Sequence, residues 1–334
     1  RYRGGLLVIS HDLDLLDEAI TRVIHLDRDG HDDTGTMHEY KGTYSQYRKQ
    51  RAADEVRLRK EAAARAKEVD RLQTIVDRFG AKATKAAMAH SLEKRIARIE
   101  ASGTDGPKEQ RAAHYRFPDP PHAGRTVLEV DGLSVSYGEM DVFRDVEFSL
   151  GRGERMVIMG FNGAGKTSLL RCVAGVQEPT TGGVTLGYGV VAGYYAQEHE
   201  GLDPYRNLID QLRDAATGQS ESELRALLGM FGLTGDKVFQ DAGTLSGGEK
   251  TKLALAQLVA GRNNLLLLDE PTNNLDPGSR DAVAESLAGW KGSIVLVSHD
   301  TDFVRALRPD RALLMPDGDV DHWSDDLLDV VALA

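Results

Sequence analysis

A glycine-rich run near the middle of the chain has the residue types and spacing that bind phosphate groups. Residues 160–167 fit the pattern G-x-x-x-x-G-K-[ST], between a strand-like run at 156–159 and a predicted helix. The glycines let the backbone curl so that its amides face a phosphate at the positive end of the helix dipole. The lysine would neutralise the outer phosphates, and the threonine hydroxyl would bind Mg²⁺. The predicted phosphate-contacting residues are Gly160, Asn162, Gly163, Gly165, Lys166, Thr167 and Ser168.

Two carboxylates follow a run of four leucines at 265–268, which predicts a strand buried on both faces. Asp269 at the end of this strand would hold Mg²⁺, directly or through water. Glu270 is then placed to orient or deprotonate an attacking water. The alternative is that the two acids only cap the end of a core strand. That alternative is plausible by itself but weak in a chain that also has the lysine motif at 160–167.

Three further side chains could complete such a site. Gln197 follows a strand-like run and could reach Mg²⁺ or water. His299 ends another buried run, where a neutral imidazole could bond the terminal phosphate, although a histidine at a strand end is more often structural. Tyr137 precedes the glycine-rich run and could stack on adenine, or it could be a surface aromatic.

A serine followed by two glycines occurs at residues 245–249, ahead of a predicted helix over 250–260. Ser246 would begin this helix, and Gly248 would let the backbone approach an anion. The alternative is an ordinary helix cap. That alternative does not explain two successive glycines, because glycine in a first turn destabilises a helix.

An internal repeat organises the chain. Residues 5–12 recur as residues 293–300, aligned on His11 and His299, and each copy is an apolar run that ends in Ser-His-Asp. Strand-like runs follow at 22–26 and 311–315. We therefore expect residues 1–46 to be the tail of a domain whose second copy is complete at 125–334, in a chain that begins mid-protein.

A basic helical region separates the two copies. Residues 48–100 hold 15 Lys/Arg and 8 Asp/Glu, a net charge of +7 within a chain of net charge −11. Apolar residues recur at helical spacing on both sides of a break at 80–85, which predicts an antiparallel hairpin over 47–101 with a basic tip. The charge asymmetry suggests a polyanionic partner for the hairpin, and a solvated linker helix is the alternative. The predicted stripes are Val69, Leu72, Val76 and Phe79, and Met88, Leu92, Ile96 and Ile99.

The rest of the chain reads as an α/β protein. Glycine and proline enrich residues 102–124, which predicts a connector, and strands alternate with helices from 125 onward, as in a mostly parallel sheet. No apolar run approaches the roughly 20 residues that a membrane helix needs. One cysteine, Cys172, excludes an internal disulfide and favours a reducing, cytoplasmic location.

Taken together and in this order, the motifs resemble the ATP-binding cassette superfamily over residues 125–323. The resemblance assigns Walker A to 160–167, the Q-loop to Gln197, the signature to 245–249, Walker B to 265–270, the D-loop to 274–276 and the switch histidine to His299. It implies a P-loop ATPase with a helical subdomain, and ATP and Mg²⁺ as cofactors. Two alternatives stay open: the ATPase subunit of a membrane transporter, and a regulatory ATP-binding module without turnover, which Glu270 and His299 argue against.

Within that superfamily the chain resembles the ABC-F class, soluble proteins with two cassettes in one polypeptide and no membrane domain. The match rests on the residues after the signature and after Walker B, and on residues 40–47 running into the basic hairpin. One departure is Asn274, where the class usually has histidine. We expect this to tune a D-loop contact without loss of activity.

The ABC-F resemblance implies a ribosomal partner. The hairpin tip, with Arg78, Lys82 and Lys85, would approach rRNA and P-site tRNA through backbone contacts. Whether such a protein would serve translation or antibiotic resistance is left open by the sequence.

Cassettes of this superfamily work as head-to-tail pairs, which implies composite ATP sites. Ser246 and Gly248 would serve the nucleotide of a first cassette, and the nucleotide on Lys166 would need that cassette's signature. We therefore expect the chain alone to bind Mg-ATP and to hydrolyse it slowly, unless a head-to-tail homodimer completes the site.

Overall fold

The computed structural model describes residues 4–8, 13–27, 36–80, 92, 94–99, 115–138, 140–197, 201–216 and 218–333. The chain divides into two compact units, Arg1–Gln110 and Arg111–Ala334.

The first unit contains a short helix, a β-hairpin and two further helices. Strands β1 and β2 pair antiparallel, with His25 opposite His38. The Tyr47 hydroxyl, on the helix that follows, lies 2.9 Å from Nδ1 of His25 and so ties the long helix to the hairpin. The elements are α1 (Leu13–Ala19), β1 (Arg22–Asp27), β2 (Thr36–Lys41), α2 (Tyr44–Gly80) and α3 (94–99).

The two predicted helical stripes meet. Leu72 and Val76 of α2 form a buried cluster with Ile96 of α3, flanked by further predicted stripe residues. Arg95 adds an ion pair to Glu68 at 3.4 Å. Helix α2 is described as far as Gly80, and the rest of the predicted break lies outside the described residues. The buried cluster confirms the expected contact between the stripes. Met88 lies outside the described residues.

The two copies of the internal repeat differ in burial. Ile24 and Leu26 of β1 are 52% and 75% exposed, whereas the corresponding Leu313 and Met315 of the second copy are 0% and 5% exposed. The second copy is covered by the sheet and helices described below. In the described part of the first unit, no sheet or helix covers the corresponding apolar side chains of β1. His11 lies outside the described residues.

The second unit is built on two sheets. Five parallel strands in the order β10-β5-β9-β8-β7 carry an antiparallel edge strand, β11, beside β10, and β4-β3-β6 form a separate antiparallel sheet. This confirms the predicted α/β fold with a mostly parallel sheet. Its strands are β3 (Thr126–Tyr137), β4 (Met140–Gly151), β5 (Arg155–Met159), β6 (Thr181–Leu186), β7 (Ala192–Tyr195), β8 (Leu265–Asp269), β9 (Ser293–Val297), β10 (Arg311–Leu314) and β11 (Asp319–His322). Its helices are α4 (Lys166–Val173), α5 (Leu208–Ala215), α6 (Glu221–Met230), α7 (Gly247–Ala260), α8 (Pro277–Gly289), α9 (Thr301–Leu307) and α10 (Leu328–Leu333).

The central strands position the predicted site. Strands β8 and β9 are buried along their whole length, as expected for parallel strands covered on both faces. Their register pairs Asp269 with Val297, and Val297 in turn pairs with Ile158 of β5. Because parallel strands end at the same edge, the residues that follow β5, β8 and β9 are brought together there.

The described part of the predicted connector packs on the second unit. Tyr115 stacks on Phe231 with ring centroids 4.4 Å apart. Farther along, Nε1 of Trp290 donates a hydrogen bond to the Pro118 carbonyl at 2.9 Å. These aromatic anchors make the connector a fixed part of this unit from residue 115 onward.

Candidate nucleotide site

The glycine-rich loop joins β5 to α4 in a conformation that needs glycine. Gly160 has φ +148°, and a Cβ there would lie 2.5 Å from the Met315 carbonyl oxygen. Gly165, directly before α4, has φ +91°, and a Cβ would lie 2.6 Å from Val142. No other residue type fits these positions without moving the backbone. The loop is thereby curled over the N-terminus of α4, where an anion is favoured.

The side chain of Lys166 is hydrogen-bonded to the start of this loop. Its Nζ donates hydrogen bonds to the carbonyls of Gly160, at 2.5 Å, and Phe161, at 3.3 Å. Burial lowers the pKa of Lys166, and the nearby Glu270 and Asp269 partly offset that effect. The ammonium group therefore lies within reach of a phosphate in the loop.

Asp269 is a buried acid with the properties of a cation ligand. It is 0% exposed, and neither carboxylate oxygen makes a hydrogen bond within the described residues. Burial raises the pKa of Asp269 to about 6, and the nearby Thr167 hydroxyl partly offsets the rise. A buried carboxylate without partners is unfavourable unless a cation binds it. The residues present therefore fit Mg²⁺, with Asp269 and Thr167 as the groups that would hold it.

Asp269→Asn should stabilise the metal-free protein while weakening its use of Mg²⁺. The folded-state pKa of about 6 lies above the usual 3.8, so the penalty of the buried carboxylate is absent below about pH 3.8, grows as pH rises from there to about 6, and is constant above that. Removing the carboxylate charge should therefore raise the free energy of unfolding by up to roughly 3 kcal/mol at pH 8, and by about half as much at pH 5. Thermal unfolding in EDTA measures this, with the exposed Asp319→Asn as control. A destabilised variant at pH 8 would contradict the assignment.

Glu270 and His299 form a pair at the ends of β8 and β9. Glu270 is 5% exposed, and its φ of +52° marks a strained backbone of the kind found at functional sites. Its carboxylate accepts a hydrogen bond from the His299 backbone amide at 3.3 Å, and Nε2 of His299 lies 2.9 Å from Oε1. The pair is therefore oriented to hold a water molecule or the terminal phosphate.

These groups line one cavity of about 440 Å³, within the size range of small-ligand sites. It contains most of the residues predicted from the sequence. Gln197 is exposed on its wall. The predicted residues that line it are Tyr137, Asn162, Gly163, Gly165, Lys166, Thr167, Ser168, Gln197, Asp269, Glu270 and His299.

Tyr137 lies at the entrance of this cavity with its hydroxyl tethered. The hydroxyl lies 3.3 Å from Ser168 Oγ and donates to Gln177 at 3.1 Å, while the residue is 55% exposed. Met140 and Val142 add apolar side chains to the lining of the same cavity. Sequence reasoning predicted Ser168 at the site but missed Gln177, Met140 and Val142. For Met140 and Val142 the one signal was that β4 begins shortly after Tyr137.

Ser246 and Gly248 do not line this cavity. Ser246 caps α7 in a capping box with Glu249, which confirms that it starts this helix, and the helix begins at Gly247, three residues earlier than predicted. A Cβ on Gly248 would lie 2.7 Å from the Asn274 carbonyl oxygen. A close backbone contact within the chain therefore requires this glycine. The predicted contact of Ser246 and Gly248 with an anion stays a prediction.

The predicted RNA contacts fall largely beyond the described structure. Arg78 lies in the last turns of α2. Lys82 and Lys85 lie outside the described residues.

Two family models match the chain. The first, described as "ABC transporter", covers residues 143–273 and so includes the glycine-rich loop and the Asp269–Glu270 pair. The second, an extension with the same description, covers residues 31–117 and so includes the predicted helical hairpin. A solved ATP-binding subunit of an ABC transporter aligns with a TM-score of 0.52 and 27% identity, over 62% of this chain and 94% of that one.

Several curated proteins resemble nearly the whole chain. The probable ATP-binding protein YheS of Escherichia coli is 36% identical over 98% of the chain, and the energy-dependent translational throttle protein EttA of Mycobacterium tuberculosis is 33% identical over 91%. ABC transporter F family member 5 of Arabidopsis thaliana is 29% identical over 96%. The chain spans about half the length of these relatives, 52%, 53% and 46% respectively.

The glycine-rich loop, the Asp269–Glu270 pair and the parallel sheet define an ATP-binding cassette domain of the P-loop type. The chain belongs to the ABC-F class of this family.

Proposed function

We propose that the chain binds Mg-ATP in the 440 Å³ cavity and hydrolyses it. Tyr137 would carry the adenine ring, with Met140 and Val142 on its apolar side. The loop amides and Lys166 would hold the phosphates. Mg²⁺, when bound, would neutralise charge that develops between the outer two phosphates. Asp269, Thr167 and Gln197 are the residues that would position it.

The observation that carries this proposal is the Glu270–His299 pair on the same cavity as Lys166. A carboxylate fixed by a backbone amide can accept a proton from, or orient, the attacking water. The imidazole, whose side chain is 43% exposed on the lining of the cavity, would bond the terminal phosphate. A module that only binds ATP has no need for such a pair, so turnover is favoured over a purely regulatory role.

We further propose that the site is completed by the signature of another cassette. Ser246 lies away from the cavity that holds Lys166, so this chain's own signature is not part of its own site. The second cassette could belong to the same full-length protein or to a second copy. Turnover per chain should then rise with protein concentration if copies pair, and mass measurement under the same conditions identifies the dimer.

The ribosome is the proposed partner, in the cytoplasm. The name of the EttA relative states a role as a translational throttle, and the matched extension model covers the basic hairpin of net charge +7. Among the described residues, no helix is long and apolar enough to cross a membrane. Polyanion binding by a basic hairpin should be backbone-directed and salt-sensitive. Translation control and protection from an antibiotic are both compatible with this surface.

Charge reversal at the tip tests the ribosomal role. Lys82→Glu with Lys85→Glu should weaken co-sedimentation with ribosomes by about tenfold or more at 100 mM salt, because two phosphate contacts are lost and reversed. Lys82→Arg with Lys85→Arg keeps the charge and is the matched control. Equal binding by all variants would contradict the hairpin's role, and sedimentation with membranes instead of ribosomes would favour the transporter subunit.

A further inference from the structure

The start of α7 and the loop after β8 touch at points that the nucleotide cavity does not explain. Gly248 leaves room for the Asn274 carbonyl, as described above. One turn further, Nζ of Lys252 lies 3.4 Å from Oδ2 of Asp276. Between these two contacts, the Thr251 hydroxyl donates a hydrogen bond to the Asn273 carbonyl at 3.1 Å.

Thr251 is completely buried, at 0% exposure, on a helix face that is otherwise apolar. Its oxygen also accepts a long hydrogen bond, 3.4 Å, from the hydroxyl of Tyr195, which is itself 4% exposed. The Tyr195 hydroxyl, the Thr251 hydroxyl and the Asn273 carbonyl thus form a chain of hydrogen bonds, here named the Thr251 relay, which begins between two buried side chains and ends at an exposed loop residue. It joins β7, α7 and the loop that follows β8.

The relay reaches the proposed catalytic residues directly at one end. The Asn273 amide donates to the Glu270 carbonyl at 3.2 Å, so the loop held by Thr251 is bonded to the backbone of the proposed water-orienting residue. The other end is Tyr195, on the strand β7 that leads into Gln197 two residues later. Thr251 therefore connects the signature helix to the loop of Glu270 and to the end of β7.

If position 251 only filled space in the buried face of α7, valine would pack there as well as threonine does. Valine has the shape of threonine without its hydroxyl, and it would remove the buried hydrogen bond with the Tyr195 hydroxyl and the part-buried one with the Asn273 carbonyl. A buried polar group of this kind fixes one arrangement of its neighbours when it is fully bonded.

We infer that Thr251 is a positioning residue: it makes the signature and the 273–276 loop move as one body, and it ties both to the Glu270 backbone and to strand β7. Engagement of the signature by another cassette is then transmitted to the site on this chain. This inference rests on the proposed ATPase function for its catalytic consequence, and on the hydrogen bonds alone for its structural part.

Hydrogen–deuterium exchange on the full chain tests the structural part without needing turnover. Thr251→Val should speed exchange of amides at 270–276 by about tenfold, because the Asn273 carbonyl loses its bond. Thr251→Ser keeps the hydroxyl and should exchange like the wild type, and Tyr195→Phe should show a smaller increase. Thr185→Val, on an exposed strand, is the matched control.

Unchanged exchange at 270–276 in Thr251→Val would overturn the inference, as would an equal increase in Thr251→Ser. An increase that spreads equally to 155–173, the strand and helix around the phosphate loop, would also overturn it, because it would indicate general loosening. In steady-state assays kcat should fall about tenfold with KM within twofold. Failure of the wild type to bind ATP would refute the proposed function and leave the exchange result standing.

Discussion

Glu270→Gln is expected to reduce ATP turnover by a factor of about 10² to 10⁴ while ATP binding stays within about threefold of the wild type. Glutamine keeps the shape of the side chain and can still accept the hydrogen bond from the His299 amide. It cannot take a proton from water. The bound nucleotide should therefore accumulate uncleaved.

This effect is best measured in single turnover, with enzyme in excess over labelled ATP, because a slow basal rate is then still resolved. Glu285→Gln, on the exposed side of α8, is the matched control and should behave like the wild type. Turnover within threefold of the wild type would show that Glu270 does not orient or deprotonate the water.

Lys166→Ala should weaken ATP binding by about 10- to 100-fold, since a charged hydrogen-bond donor to phosphate is lost. The lysine is 8% exposed and anchored to two loop carbonyls, so its ammonium group is already in position before the nucleotide arrives. Binding of adenosine, which has no phosphate, should be unaffected. That difference separates loss of a phosphate contact from collapse of the loop.

Lys291→Ala is the control for charge alone, because Lys291 is 78% exposed at its side chain and lies away from the cavity. If the two variants bind ATP equally well, Lys166 has no role in phosphate binding. If Lys166→Ala loses adenosine and ATP alike, the loop itself has been disrupted and Lys166→Met becomes the variant of choice.

Much of the site follows from the sequence because its motifs are contiguous with the elements that carry them. The glycine-rich loop contains its own lysine and leads directly into α4, and Asp269 ends the strand that positions it. Local sequence therefore determines both the residue and its place. The same is true of the capping box, since a serine followed three residues later by glutamate is a known helix start.

Contacts between residues that are far apart in the sequence could not be predicted from the sequence alone. Nε2 of His299 lies 2.9 Å from Oε1 of Glu270 because β9 pairs with β8. The sequences of these two segments do not determine the order of the strands in the sheet. Met140 and Val142 carry no chemistry that distinguishes them from other apolar residues. Gly248 was interpreted as room for an anion, and the structure adds a second requirement for this glycine, because a Cβ there would lie 2.7 Å from the Asn274 carbonyl oxygen.

Asn274 itself now has a physical explanation. Its φ of +64° lies in the left-handed region, where asparagine and histidine are both enriched among non-glycine residues. The departure from the usual histidine therefore preserves the backbone of this loop. What differs is the side chain that would face another cassette.

The central claim is that the cavity beside Lys166 and Asp269 takes Mg-ATP, and equilibrium titration of the chain with ATP tests it most directly. Saturable binding of one ATP per chain is predicted, tighter in Mg²⁺ than in EDTA because Asp269 then has a cation to balance its buried charge. Absence of saturable binding, or equal affinity with and without Mg²⁺, would contradict it.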